Sequence, residues 1–95
     1  MPISYDENKR AETLEHRGLD FADAGETLFS DESLLTVQDD RKDYGEQRWQ
    51  TMGPFRGDIV MIVWTLRDGA HRIISMRKCN DREKGHYHET VDRSG

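Results

Sequence analysis

At 95 residues the chain makes one small domain with room for a single modest core. Charged residues are 35% of the chain and the hydrophobic set 34%, so the core must be concentrated in a few segments. The longest apolar run, 59–64, is too short to cross a membrane, the net charge of −5 argues against a general nucleic-acid binder, and the one cysteine, Cys79, excludes an intrachain disulfide framework.

Residues 3–5 read as a short strand or an extended lead-in. Asp6 is an N-cap candidate for a helix reaching about Arg17, where Gly18 supplies the left-handed C′ position and Leu19 can pack back on Leu14. Asp20 is the next cap candidate. Phe21, Ala24, Leu28 and Phe29 then fall on one helical stripe, which predicts a second helix ending near Ser30. Residues 34–37 are short and β-prone, and 39–45 read as a polar loop closed by Gly45. Residues 48–52 alternate like a strand until Gly53-Pro54 breaks the pattern. Residues 59–64 suit a strand covered on both sides. Asp68-Gly69 signals a hairpin, and 72–77 return antiparallel. Asn80 with Glu83 matches a capping pattern for a helix to about His88.

The expected fold class is α+β, with two N-terminal helices, a four-stranded antiparallel sheet and a short C-terminal helix. The whole of 1–95 reads as one domain, with its core at about 4–88 and a frayed tail at 89–95. The opening lacks a signal-peptide layout, and the lone cysteine fits a reducing cytoplasm.

Charge is unevenly placed. Residues 6–46 carry thirteen Asp/Glu against five Lys/Arg, or −8, whereas 70–88 carry five Lys/Arg against two acids, or +3. His71, His86 and His88 add imidazoles to the second segment. Strand alternation predicts His71, Ile73, Ser75 and Arg77 on one face, and Arg72, Ile74, Met76 and Lys78 on the other. Arg77, at the exit of a buried strand, is well mounted to grip a phosphate. Arg82 and His86 are i, i+4 neighbours on the last helix, as are Glu83 and Tyr87. In the first helix Lys9, Thr13 and His16 form a polar line. His16 and Arg17 sit where cations suit the helix dipole, which explains both without a function. As a functional reading, a histidine near Arg77 can move protons in RNA cleavage. Lys84 reads as a solvated cation. His86-Tyr87-His88 lacks the further ligands of a structural metal site, and Cys79 has no nearby activating base.

In order and spacing, several stretches resemble the BrnT-like toxins of bacterial type II toxin–antitoxin pairs. They are Tyr5-Asp6-x-x-Lys9, Arg17-Gly18-Leu-Asp-Phe-Ala22, Asp39-Asp-Arg-x-Asp-Tyr-Gly-Glu46, residues 59–65, residues 72–78, and Arg82-Glu83 with Tyr87. The resemblance covers about residues 4–87. It implies a RelE-like α+β ribonuclease of the cytoplasm that cleaves RNA without metal or other cofactor and reduces translation. It further implies a cognate antitoxin of ribbon-helix-helix type in a 2:2 heterotetramer. RNA would be the substrate, operator DNA would be met only through the antitoxin, and no membrane is involved.

Lys9, Arg77, Arg82 and Tyr87 occupy matching positions. With His16 they form the expected catalytic set, in which Arg77 and Arg82 hold the phosphate and Lys9, His16 or Tyr87 moves protons. Arg17, Arg72, Lys78 and His86 are the expected RNA-binding set, and no residue is assigned to a metal. Relatives often carry Glu-Arg-Gly or Lys-His-Gly where this chain has His16-Arg17-Gly18. That departure and the acidic balance support an alternative: a catalytically impaired domain of the same fold, acting only in antitoxin binding and operon autoregulation. A third class, a small metalloenzyme, predicts activity lost to chelators.

Overall fold

A computed structural model describes residues 2–94, except the side chains of residues 93 and 94. The first helix, α1, spans Glu7–Arg17 and has both expected ends. The Asp6 carboxylate accepts the Lys9 N–H at 3.0 Å. At the other end Gly18, at φ +70°, donates its N–H to the Leu14 carbonyl. Leu19 enters the core while Leu14 stays exposed, so α1 is a thin cover with no fully buried residue. Its attachment is polar: the Arg10 guanidinium grips both oxygens of Asp20 at 2.7 and 3.0 Å.

The expected second helix is replaced by two shorter pieces. Asp20 caps a 3₁₀ turn, Phe21–Asp23, and α2 is a single turn, Gly25–Leu28. The buried residues explain this. Phe21, Ala24 and Thr27 are all inside, spaced by three, which is the repeat of a 3₁₀ segment. Phe29, at the end of the expected stripe, is exposed.

The sheet is also a correction. It has five strands rather than four and is mixed rather than antiparallel. Ile3–Tyr5 forms β1, which runs parallel to β5, Ala70–Lys78. Between these lie β2, Leu35–Gln38, β3, Trp49–Phe55, and β4, Asp58–Arg67. The order across the sheet is β1-β5-β4-β3-β2, and every pair except β1–β5 is antiparallel. A three-residue lead-in is too short to show alternation, so nothing local announces the parallel pairing.

Gly53-Pro54 does not break β3. The strand runs on to a two-residue turn at Arg56-Gly57, where both φ are positive, as they are at the expected Asp68-Gly69 turn. Gly53 is required by packing. A Cβ there would lie 2.5 Å from Leu34 Cδ2 and 2.8 Å from Thr27 Cγ2.

β5 carries a bulge. Ser75 pairs with Val63 but Ile73 pairs with Trp64, so Ile74 is an extra residue. The expected alternation therefore fails: Ile73 and Met76, assigned to opposite faces, enter the same core cluster. That cluster joins Val60 and Ile62 of β4 to Leu19, Phe21 and Ala24 on the α1 side of the sheet. Arg77 pairs with Met61, which belongs to a second cluster with Met52, Ile59, Cys79 and Tyr87 on the opposite side.

That opposite side is covered by α3, Asp81–Ser94, which continues past the expected end near His88. Its start is a reciprocal capping box. The Asn80 side chain accepts the Glu83 N–H at 2.8 Å, and Glu83 accepts the Asn80 N–H at 2.9 Å. No helix among the described residues is long and apolar enough to cross a membrane.

Candidate functional site

Two polar groups flank the exit of β5, one on the α3 side and one beside α1. On the α3 side Arg77 is half-buried. Its two terminal nitrogens meet the two oxygens of Glu83 at 2.7 Å each, a parallel fork. This contact and the Asn80 N–H hold the Glu83 carboxyl down at about 2. Arg77 is raised in turn, chiefly by Glu83, while the nearby positive charge of Arg41 opposes that shift. Arg41 itself forks onto Asp39 at 2.7 and 2.8 Å. The polar loop after β2 therefore reaches the neighbourhood of Arg77.

Arg82 and His86 project from the first two turns of α3 into a cleft of about 470 Å³. Its floor is apolar, made by Leu35, Val37, Met52 and Met61. Asn80, Glu83 and Gln50 complete the wall. The sheet is only partly covered here, because α3 packs on Met52, Met61 and Ile59 through Tyr87 and Val91 and leaves Val37 exposed.

The remaining expected residues fall as follows. Tyr87 is buried, and its hydroxyl donates to the Ser33 carbonyl at 2.5 Å. Burial first, then the charge of Glu32, pushes the phenol upward. It ties α3 to the segment entering β2. Lys78 is exposed at the end of β5, and Arg72 is half-buried opposite Thr65. Lys84 is bound to Asp58 at 2.9 Å, a local ion pair.

Lys9, His16 and Arg17 are brought together elsewhere. With Thr13, Ile74 and Ser75 they line a shallow cleft of about 380 Å³ between α1 and the edge of β5. β1 pairs only with residues 71–73 of β5, so the edge beyond is open to α1. Arg17 Nη1 donates to the Met76 carbonyl there at 3.1 Å, fixing the end of α1 one residue from Arg77. The two expected halves of a site are thus adjacent along β5 and lie in separate clefts.

Three histidines separate by environment. His71 is packed between Trp64 and Phe29, with ring centroids 4.5 and 5.2 Å away. Its buried Nδ1 has no partner among the described residues, and burial depresses its pKa. It is a half-buried residue held between two aromatic rings, apart from the cationic group. His86 lines the cleft floored by Met52 and Met61, while His88 lines another with Glu32 and Asp58, so the two imidazoles of the His-Tyr-His run part company. Burial pushes the Cys79 thiol up to about 11, which leaves little thiolate at neutral pH.

Sequence reasoning missed Glu83 as the partner of Arg77. The capping pattern had marked Glu83, but only as a helix start. It also missed the Asp39–Arg41 pair, for which the loop motif was the one local signal.

The chain matches the family model described as "Ribonuclease toxin, BrnT, of type II toxin-antitoxin system" over residues 5–83. No curated protein and no solved structure matches it.

Proposed function

The chain belongs to the BrnT family of ribonuclease toxins of type II toxin–antitoxin systems, and its partner class is therefore an antitoxin; from that premise we propose that it is a metal-independent endoribonuclease that reduces translation. The observation that carries this reading is the pairing of Arg82 and His86 in one cleft, with Arg77 forked onto Glu83 of the cleft wall, in a chain whose net charge is −5.

RNA supplies its own nucleophile, the 2′-hydroxyl beside the scissile phosphate. What the protein must add is a base, an acid and a cation for the developing phosphorane charge. Arg77 and Arg82 fill the cationic role, with His86, Arg72 and Lys78 extending the phosphate track. Lys9 and His16 lie in the separate cleft beside α1, so their role as proton carriers requires the RNA to cross the end of β5 between the two clefts; Arg17 secures their helix against β5. Tyr87, buried and bonded to the Ser33 carbonyl, supports α3.

The antitoxin is proposed to be of ribbon-helix-helix type in a 2:2 complex, with an acidic segment over Arg82 and His86, and to carry the contacts to operator DNA. A second reading is favoured by the net charge of −5. It is a domain that keeps antitoxin binding and has lost cleavage.

Inducible expression in a bacterium separates the two. Growth arrest with loss of RNA is expected, and Arg77→Ala should lower cleavage by the purified protein about 100-fold or more. Unaltered growth and intact RNA would leave only the binding domain. Arg77→Ala cleaving at the parental rate would remove the phosphate assignment.

A further inference from the structure

Arg77 has five N–H groups, and three are accounted for. Nη1 donates to Glu83 Oε1 at 2.7 Å and, at 3.4 Å, to the Lys78 carbonyl. Nη2 donates once, to Glu83 Oε2 at 2.7 Å. The remaining pair, Nε–H and the second Nη2–H, lie on the same edge of the planar guanidinium and form a second fork. That edge matches two oxygens of a phosphate as well as the first matches a carboxylate.

We propose that Glu83 is a positioning residue: it occupies one fork of Arg77 so that the other is held ready for a phosphate of the RNA. This rests on the ribonuclease reading and names the residue that prepares its phosphate grip. Glu83 is itself fixed twice, by the Asn80 N–H on its carboxylate and by the Asn80 side chain on its own N–H. Arg77 therefore inherits its orientation from the start of α3. A free arginine must lose side-chain rotamer freedom when it grips an anion, whereas here most of that loss precedes binding. The Glu83 carboxyl, held at about 2, stays ionised throughout the physiological range.

Glu83→Gln tests this without removing the cap, because glutamine also serves at this position of a capping box. Its amide cannot accept both guanidinium N–H groups. The probe is a random-sequence pool of 2′-O-methyl RNA, which offers phosphates and no attacking hydroxyl. Wild-type protein and Glu83→Gln should show similar thermal midpoints. The variant should bind the pool about tenfold more weakly, and the Arg77 Nε–H resonance should shift. Arg77→Lys is the second test. It keeps a charge opposite Glu83 but has no second fork, so its affinity should fall as far as that of Arg77→Ala.

Glu83→Gln binding as well as or better than wild type overturns the proposal, as does Arg77→Lys binding like wild type. Those results leave the ribonuclease reading standing if Arg77→Ala still weakens binding. If Arg77→Ala binds the pool like wild type, the phosphate assignment falls and takes the positioning role with it.

Discussion

Against α1 and the 3₁₀ turn, the sheet buries Val60, Ile62, Ile73 and Met76 almost completely, whereas against α3 it buries Met52, Met61 and Tyr87 and leaves a cleft open beside them. The first side is held by packing. The second is held by a small apolar patch and a set of charged contacts, Arg77–Glu83, Lys84–Asp58 and the Asn80–Glu83 box. The same strands serve both sides, with the bulge at Ile74 turning Met76 inward and Arg77 outward. Tight packing and the proposed phosphate grip are therefore divided between two surfaces of one sheet, and a substitution on β4 or β5 should report which surface it touches.

The sharpest test compares neighbours on β4. Ile62 is fully buried on the packed side, and Met61 floors the cleft. Ile62→Ala should cost about 3 kcal/mol or more, because the rigid surroundings cannot close the cavity. Met61→Ala should cost about 2 kcal/mol or less, since the lost side chain opens into a cleft that water already reaches. Denaturant unfolding of both variants gives the comparison, and equal losses would show that the cleft side is packed as firmly as the other.

Gly53→Ala comes next. Its Cβ would press on Leu34 and Thr27, where α2 meets β3. Leu34 can yield in part, so a loss of about 1–2 kcal/mol is expected, with RNA affinity unchanged. A loss of affinity without a loss of stability would show that the packed side feeds into the cleft.

How much of this was legible beforehand follows from how local each signal was. Asp6 and Gly18 marked both ends of α1, Asp68-Gly69 marked its turn, and Asn80 with Glu83 marked the start of α3, because caps and turns are written within four residues. β1 was not legible as a parallel strand, since Ile3 finds its partner at His71. Nor was the bulge, because Ile73 and Ile74 are the same residue type and no glycine or proline marks the extra position. On the α3 side, the i, i+4 spacing of Arg82 and His86 anticipated that both would line one cleft. The fork between Arg77 and Glu83 was missed because a strand end and a helix start were read as separate elements. The burial of Tyr87 was not legible either, because which face of α3 turns inward depends on where the helix docks.

The smallest effect concerns acid. Glu83 ionises at about 2 in the folded protein against an ordinary 4.5, so its ion pair contributes stability that is complete above 4.5 and is lost as the pH falls through about 2. Glu83→Gln removes this share. The variant should be slightly less stable than wild type at neutral pH, and its stability should fall less steeply on acidification, so that the two curves converge near the bottom of that range. Neither curve becomes flat, because Asp39, held at about 2 by Arg41, titrates in both proteins. The difference should be small, since the Arg77 side chain is 40% exposed and water screens the pair. Curves that run parallel from neutral pH to pH 2 would mean that the fork orients Arg77 without stabilising the fold, and the α3 side would then owe its stability to its apolar patch and its other polar contacts, Lys84–Asp58 among them.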